Sequence, residues 1–271
     1  MKGAGEGGGA ARTIRADAWR QDGQMPLRAV PLILMYHGVA DVAEDPNKLC
    51  VTPGRFAEQM AWLERHRLRG VGIGTLVDAM RAGQVKGDGA AGGGMVGITF
   101  DDGYVNVLEA ALPELQRRGF GATAYIISGR LGGTNDWDEG PTWPLMSADQ
   151  VVKLGAAGIE IGSHSATHVR LAGASAGQLA AEVSASRSAL AAVTGAEIRG
   201  FAYPCGSMDA EARQAARDTG YDYACAVETR AADIGLMALP RIYIGQQDGA
   251  ARMAVKRRIY RSYIAWRGRQ T

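Results

Sequence analysis

MVGITFDDG, residues 95–103, is a short apolar run that stops abruptly on two carboxylates and a glycine. A run of this length, bounded by turn residues, suits a strand buried on both faces, as strands of parallel sheets are. Working outward, comparable runs occur at 31–37 (PLILMYH), 122–127, 159–163, 198–203, 221–227 and 239–244, with a weaker one at 70–73. Amphipathic stretches lie between them. Thr52 and Pro53 read as N-cap and first residue of a helix carrying Phe56, Met60 and Leu63 on one stripe. Further helices are predicted over 75–81, 105–118 (ended by Gly119), 147–158 (opened by Ser147), 175–194, 209–219 and 250–266. Repeated strand–helix alternation predicts an α/β protein with a parallel sheet, either closed as a barrel or doubly wound.

The chain of 271 residues is long enough for one large α/β domain, and its 46% apolar content is enough to build a core. A net charge of +2 gives no reason to expect nucleic acid or a membrane as partner of the whole chain. The basic run from Lys256 through Arg269 reads as the solvated face of a last helix. Three dispersed cysteines form no CxxC pair, which points to a reducing compartment and excludes a cysteine-only zinc site. Residues 1–30 contain no apolar run of signal-peptide length, and no stretch of eighteen apolar residues occurs, so a cytoplasmic protein with a flexible N-terminal lead and no transmembrane segment is expected. Glycine-rich 83–94 and the long segment 129–145 are read as loops.

The chemistry-bearing residues fall at predicted strand ends, the edge where active sites of parallel α/β folds assemble. The run 95–100 leads into Asp101 and Asp102, 159–163 into His164 and His168, and 31–36 ends at His37. Alone, Asp-Asp-Gly is an ordinary turn or helix N-cap. An i,i+4 histidine pair places two imidazoles on one face of a helical turn, as metal ligation or simply as a helix surface. Together they make a two-histidine, one-carboxylate set that leaves room for water and substrate on a metal. The second aspartate is then available as a base.

TFDDGY (99–104), SHSATH (163–168) and FAYPCG (201–206) resemble, in order and spacing, the first three motifs of the polysaccharide deacetylases, carbohydrate esterase family 4. LMYHGV (34–39), GRLGGTNDWD (129–138) and LPRIYIG (239–245) resemble the branch that includes exopolysaccharide N-deacetylases. The resemblance spans about 31–245 within a catalytic domain expected over 31–271. It implies a distorted (β/α) barrel of about seven parallel strands and removal of an N-acetyl group from an amino-sugar substrate. It implies Asp101 as general base, and Asp102, His164 and His168 as ligands of a divalent metal, zinc first. The nucleophile would be water activated by the metal, and the backbone N–H of Cys205 would help hold the oxyanion.

Two departures shape the remaining expectations. Many members carry an arginine two residues before the third-motif proline, where it steadies the base; here that position is Ala202, and Arg241 is the candidate substitute, read equally as a structural ion-pair arginine. Many also carry a late histidine as general acid, whereas no histidine follows His168; His37, or Asp101 once protonated, is expected in that role. Trp137 with Asp136 and Asp138, and Tyr203, are candidates for contacting a sugar, an indole being a good platform for C–H faces. Cys205 as a thiol nucleophile is set aside, because both well-placed histidines are better used as ligands. The competing readings are hydrolysis of a non-sugar amide, a non-haem iron oxygenase and a glycan-binding module without catalysis.

Overall fold

The computed structural model describes residues 30–84, 94–137, 139–227, 229 and 233–267. Asp138, nearly all of the expected N-terminal lead, most of the 83–94 segment and the end of the basic C-terminal run lie outside the described residues.

The apolar runs form parallel strands: β1 (Ile33–Tyr36), β4 (Leu68–Val71), β5 (Gly94–Phe100), β6 (Thr123–Ile126), β7 (Glu160–Ser163), β8 (Gly200–Ala202) and β9 (Tyr223–Ala226). Short β2 (Gly38–Val39) and β3 (Cys50–Val51) pair only with each other. β1 is buried along its whole length, as its uninterrupted apolar sequence requires. The path runs β9-β8-β7-β6-β5-β1, with β4 paired to the first half of β5.

The last run closes the sheet in an unexpected way. Residues 239–244 were expected as one strand, but they form β10 (Leu239–Pro240) on β9 and β11 (Ile242–Tyr243) on β1, at the two opposite ends of the path. One segment therefore bridges both edges, which makes the expected barrel of about seven parallel segments, with β4 as an addition. The split falls at Arg241, whose side chain is wholly buried on Asp101.

Helices α1 (Pro53–Arg65), α2 (Ile73–Arg81), α4 (Ala148–Ala156), α7 (Ala210–Asp218) and α8 (Ala250–Arg267) lie near their predicted positions. Thr52 caps α1, and Ser147 with Gln150 forms a reciprocal capping box on α4. The other two predicted helices are interrupted. A π turn, Val107–Ala111, precedes α3 (Leu112–Arg117), because Pro113 can neither donate a backbone hydrogen bond nor fit beneath the preceding turn. A second π turn, Ala180–Ser184, separates α5 (Ala176–Leu179) from α6 (Ala185–Thr194). Among the described residues no helix is long and apolar enough to cross a membrane.

Candidate active site

Asp101 follows the last residue of β5, and its N–H donates to Tyr36 O (3.0 Å), which fixes the carboxylate at the C-terminal rim of the barrel. Asp102 and Gly103 both adopt positive φ (72° and 80°), so the chain turns sharply and the two adjacent carboxylates diverge. One of them meets Arg241. Its guanidinium holds Asp101 at both oxygens, NH1 to Oδ1 at 2.6 Å and NH2 to Oδ2 at 2.7 Å. The guanidinium is itself fixed by NH1 donating to Thr99 Oγ1 (3.1 Å) and by the Tyr125 ring, 5.5 Å from Cζ. Burial opposes ionisation of Asp101, but Arg241, by its charge and its two hydrogen bonds, outweighs it and holds the carboxyl well below the usual carboxylate range. Asp101 is thus an oriented, ionised acceptor.

Asp102 meets the histidines. Its Oδ1 lies 3.5 Å from His164 Nε2 and 3.4 Å from His168 Nε2, and the three donor atoms fall within 4.8 Å of one another. Burial lowers the pKa of both rings, that of His168 to about 3, so these separations are not ion pairs of imidazolium with carboxylate. They are two neutral nitrogens and a carboxylate oxygen facing a common point. His164 Nδ1 lies 2.8 Å from the Ala202 carbonyl, which can only accept; Nδ1 therefore carries the proton and Nε2 presents a lone pair. Two neutral imidazoles, that of His164 in a fixed tautomer, and a buried carboxylate are what a divalent cation such as zinc needs, so the residues fit such an ion.

The histidine pair does not lie on a helical turn, as its i,i+4 spacing had implied. It sits in a tight loop after β7, with Ser165 and His168 at positive φ and Ser165 Oγ accepting from His168 N (3.0 Å). The loop is held by a residue that sequence reading missed. Buried Glu182 accepts from Ala166 N (3.0 Å), Thr167 N (2.9 Å) and Thr167 Oγ1 (2.6 Å). Glu182 belongs to the π turn between α5 and α6, and nothing in an Ala-rich helical run marks one glutamate as turned inward. Replacing Glu182 by Ala leaves the loop amides without their acceptor. It is expected to weaken metal affinity by about ten- to a hundredfold, the usual cost of losing a group that orients ligands, checked by competition with a chromogenic chelator.

Asp101, Asp102, His164 and His168 line a cavity of about 310 Å³, and His37, Trp137 and Cys205 line it too. The Trp137 ring stands 4.6 Å from that of His168. Burial pushes His37 down to about 4, so at neutral pH its ring is uncharged and no imidazolium stands ready to act as acid. Cys205 lies in the turn Pro204–Gly206 with φ at 53°, exposed at the cavity wall. Tyr203 lines the same cavity; it is fully buried, and its hydroxyl donates to Met237 O (2.9 Å). Asp136 is turned away, exposed and paired with Arg130 at 2.8 Å, outside the cavity.

With fold and site in place, comparison with known proteins is direct. The polysaccharide deacetylase family model matches residues 88–224, about half of the chain, and the chain belongs to that family. YxkH of Bacillus subtilis (strain 168), named for the same family, is 29% identical over 214 residues, covering 78% of this chain and 70% of its own. Streptococcus pyogenes deacetylase PplD, solved with acetate, superposes with a TM-score of 0.68 at 21% identity over 83% of this chain and 96% of its own. IcaB from Ammonifex degensii superposes with 0.67 at 21% identity over 83% and 95%. At these identities the structural likeness establishes the distorted barrel, and family membership places the chain among enzymes that act on acetyl groups of polysaccharides.

Proposed function

We propose that this chain is a divalent-metal-dependent hydrolase that removes the N-acetyl group of an amino sugar in a carbohydrate or glycoconjugate. The observation that carries the reading is the division of two adjacent aspartates, Asp101 onto Arg241 and Asp102 onto a pair of neutral histidines. Asp102, His164 and His168 would hold the metal, which when bound supplies a Lewis acid for the acyl carbonyl and lowers the pKa of water. Asp101, ionised and fixed by Arg241, takes the proton of the attacking water and returns it to the departing amine, since His37 is neutral and its remaining N–H is too weak an acid to protonate the amine. The Cys205 backbone at the cavity wall would contribute to holding the oxyanion. Trp137 would pack on a sugar C–H face beside His168.

The test is acetate release from N-acetylated mono- and oligosaccharides by chelator-treated protein with zinc, cobalt or nothing restored. Release is expected only with metal. Metal binding without acetate from any sugar would overturn the amino-sugar reading in favour of a non-sugar amide. Because the proposal uses the backbone of Cys205 and not its thiol, Cys205→Ala is expected to keep acetate release within about threefold, as an interaction not made by the side chain should. A loss of a hundredfold or more would restore the thiol to the mechanism.

A further inference from the structure

A second cavity, about 720 Å³, is larger than the catalytic one and is used by nothing above. The two share a wall. Asn47 and Leu49 line the catalytic cavity, whereas Lys48 and Cys50 line the second. The wall continues through His37 and Tyr243, one ring on each side with centroids 6.4 Å apart, and the Tyr243 hydroxyl donates to Lys48 O.

The charges in the second cavity do not balance. Three cations, Lys48, Arg252 and Lys256, face two carboxylates, Asp45 and Asp248. Asp45 accepts from Leu49 N and Cys50 N, each at 2.8 Å, and Asp248 Oδ2 accepts from Lys256 Nζ (2.6 Å) and Gly245 N (2.8 Å). Lys48 and Arg252 also line it, and neither has a carboxylate partner among the described residues. Much of the remaining wall is apolar, including Val42 and Val255, the latter 53% exposed. A wall with more cations than carboxylates, beside apolar surface, selects a ligand that carries an anionic group on a partly apolar body.

We infer that the second cavity is a subsite for an anionic substituent, carboxylate or phosphate ester, borne by the sugar next to the one that is deacetylated. The inference rests on the proposed deacetylase reading for the identity of the neighbouring group, but the cavity's charge preference stands apart from catalysis. The substrate is thereby an acidic glycan or glycosyl phosphate and not a neutral polymer. Its acetamido group would enter the 310 Å³ cavity while the acidic neighbour lies across the Asn47–Leu49 wall, against Lys48 and Arg252.

The experiment is calorimetric binding of three disaccharides to chelator-treated protein, so that no turnover is required. Each has N-acetylglucosamine as one residue; the second residue is neutral, a uronate or a phosphate ester. Either acidic disaccharide is expected to bind roughly tenfold more tightly than the neutral one, as two partly exposed ion pairs supply. The uronate and phosphate arms identify which anion is preferred. The double variant Lys48→Glu, Arg252→Glu, its fold checked by circular dichroism and thermal unfolding, is expected to lose that preference. Equal affinity for all three, no binding of any, or a preference that the double variant leaves intact would overturn the inference. A charge preference that persists in protein releasing no acetate after metal is restored supports the subsite and counts against the deacetylase reading alone.

Discussion

Asp101→Asn is expected to retain metal and to lose acetate release by about a thousandfold, within the range a general base contributes. The two halves of that result come from different parts of the site. Metal content depends on Asp102, His164 and His168, and the diverging turn at Asp102 and Gly103 carries the Asp102 carboxylate away from position 101. Asparagine keeps the shape of aspartate and can still accept from one arm of Arg241, but its amide cannot take a proton from water. Metal analysis and acetate release on the same preparation therefore separate base from ligand. A variant with near-native turnover would remove Asp101 from the role of base. A variant that lost metal would mean that the two carboxylates act as one ligand set.

What the sequence made readable was what sits next to a strand end. Asp101, Asp102, His164 and His168 each follow an apolar run closely, so local pattern located them and family resemblance supplied their roles. Residues that reach the site from elsewhere were harder to place. Arg241 could be named through the family resemblance as a candidate to steady Asp101, but periodicity alone did not place it there, because the pairing depends on one segment joining β9 on one side and β1 on the other, and strand neighbours so distant in sequence leave no periodicity behind. Glu182 meets the histidine loop from within a π turn, a distortion that helix propensity does not encode. Asp136 and Tyr203 show the converse. Their residue types suit a sugar site, yet the Asp136 carboxylate is committed to Arg130 outside the cavity, and Tyr203, though it lines the cavity, has its hydroxyl committed to Met237 O. The helical geometry expected for the histidine pair failed for a related reason: spacing of four is equally met by a loop once two residues adopt positive φ.

Arg241 is where fold and chemistry meet, so its replacement is expected to damage both. The guanidinium joins a carboxylate that is almost wholly buried, in the segment that closes the barrel. Arg241→Ala leaves the Asp101 charge buried without a partner, and removal of one member of such a pair costs about 3–5 kcal/mol. The same change frees Asp101 to rotate, which is expected to lower turnover by a further ten- to a hundredfold, roughly what groups that orient a catalytic residue contribute. Arg241→Lys separates these effects. A lysine restores a positive charge but not the two parallel N–H donors that meet both Asp101 oxygens. Chemical denaturation should therefore show a good part of the stability recovered, while kcat for acetate release stays close to that of the alanine variant. If Lys restored turnover as fully as stability, charge alone would suffice and the fork would have no part in orienting the base. If both variants matched the wild type in turnover, Arg241 would be a closure residue of the barrel only, and Asp101 would be oriented by the backbone of the turn that follows β5.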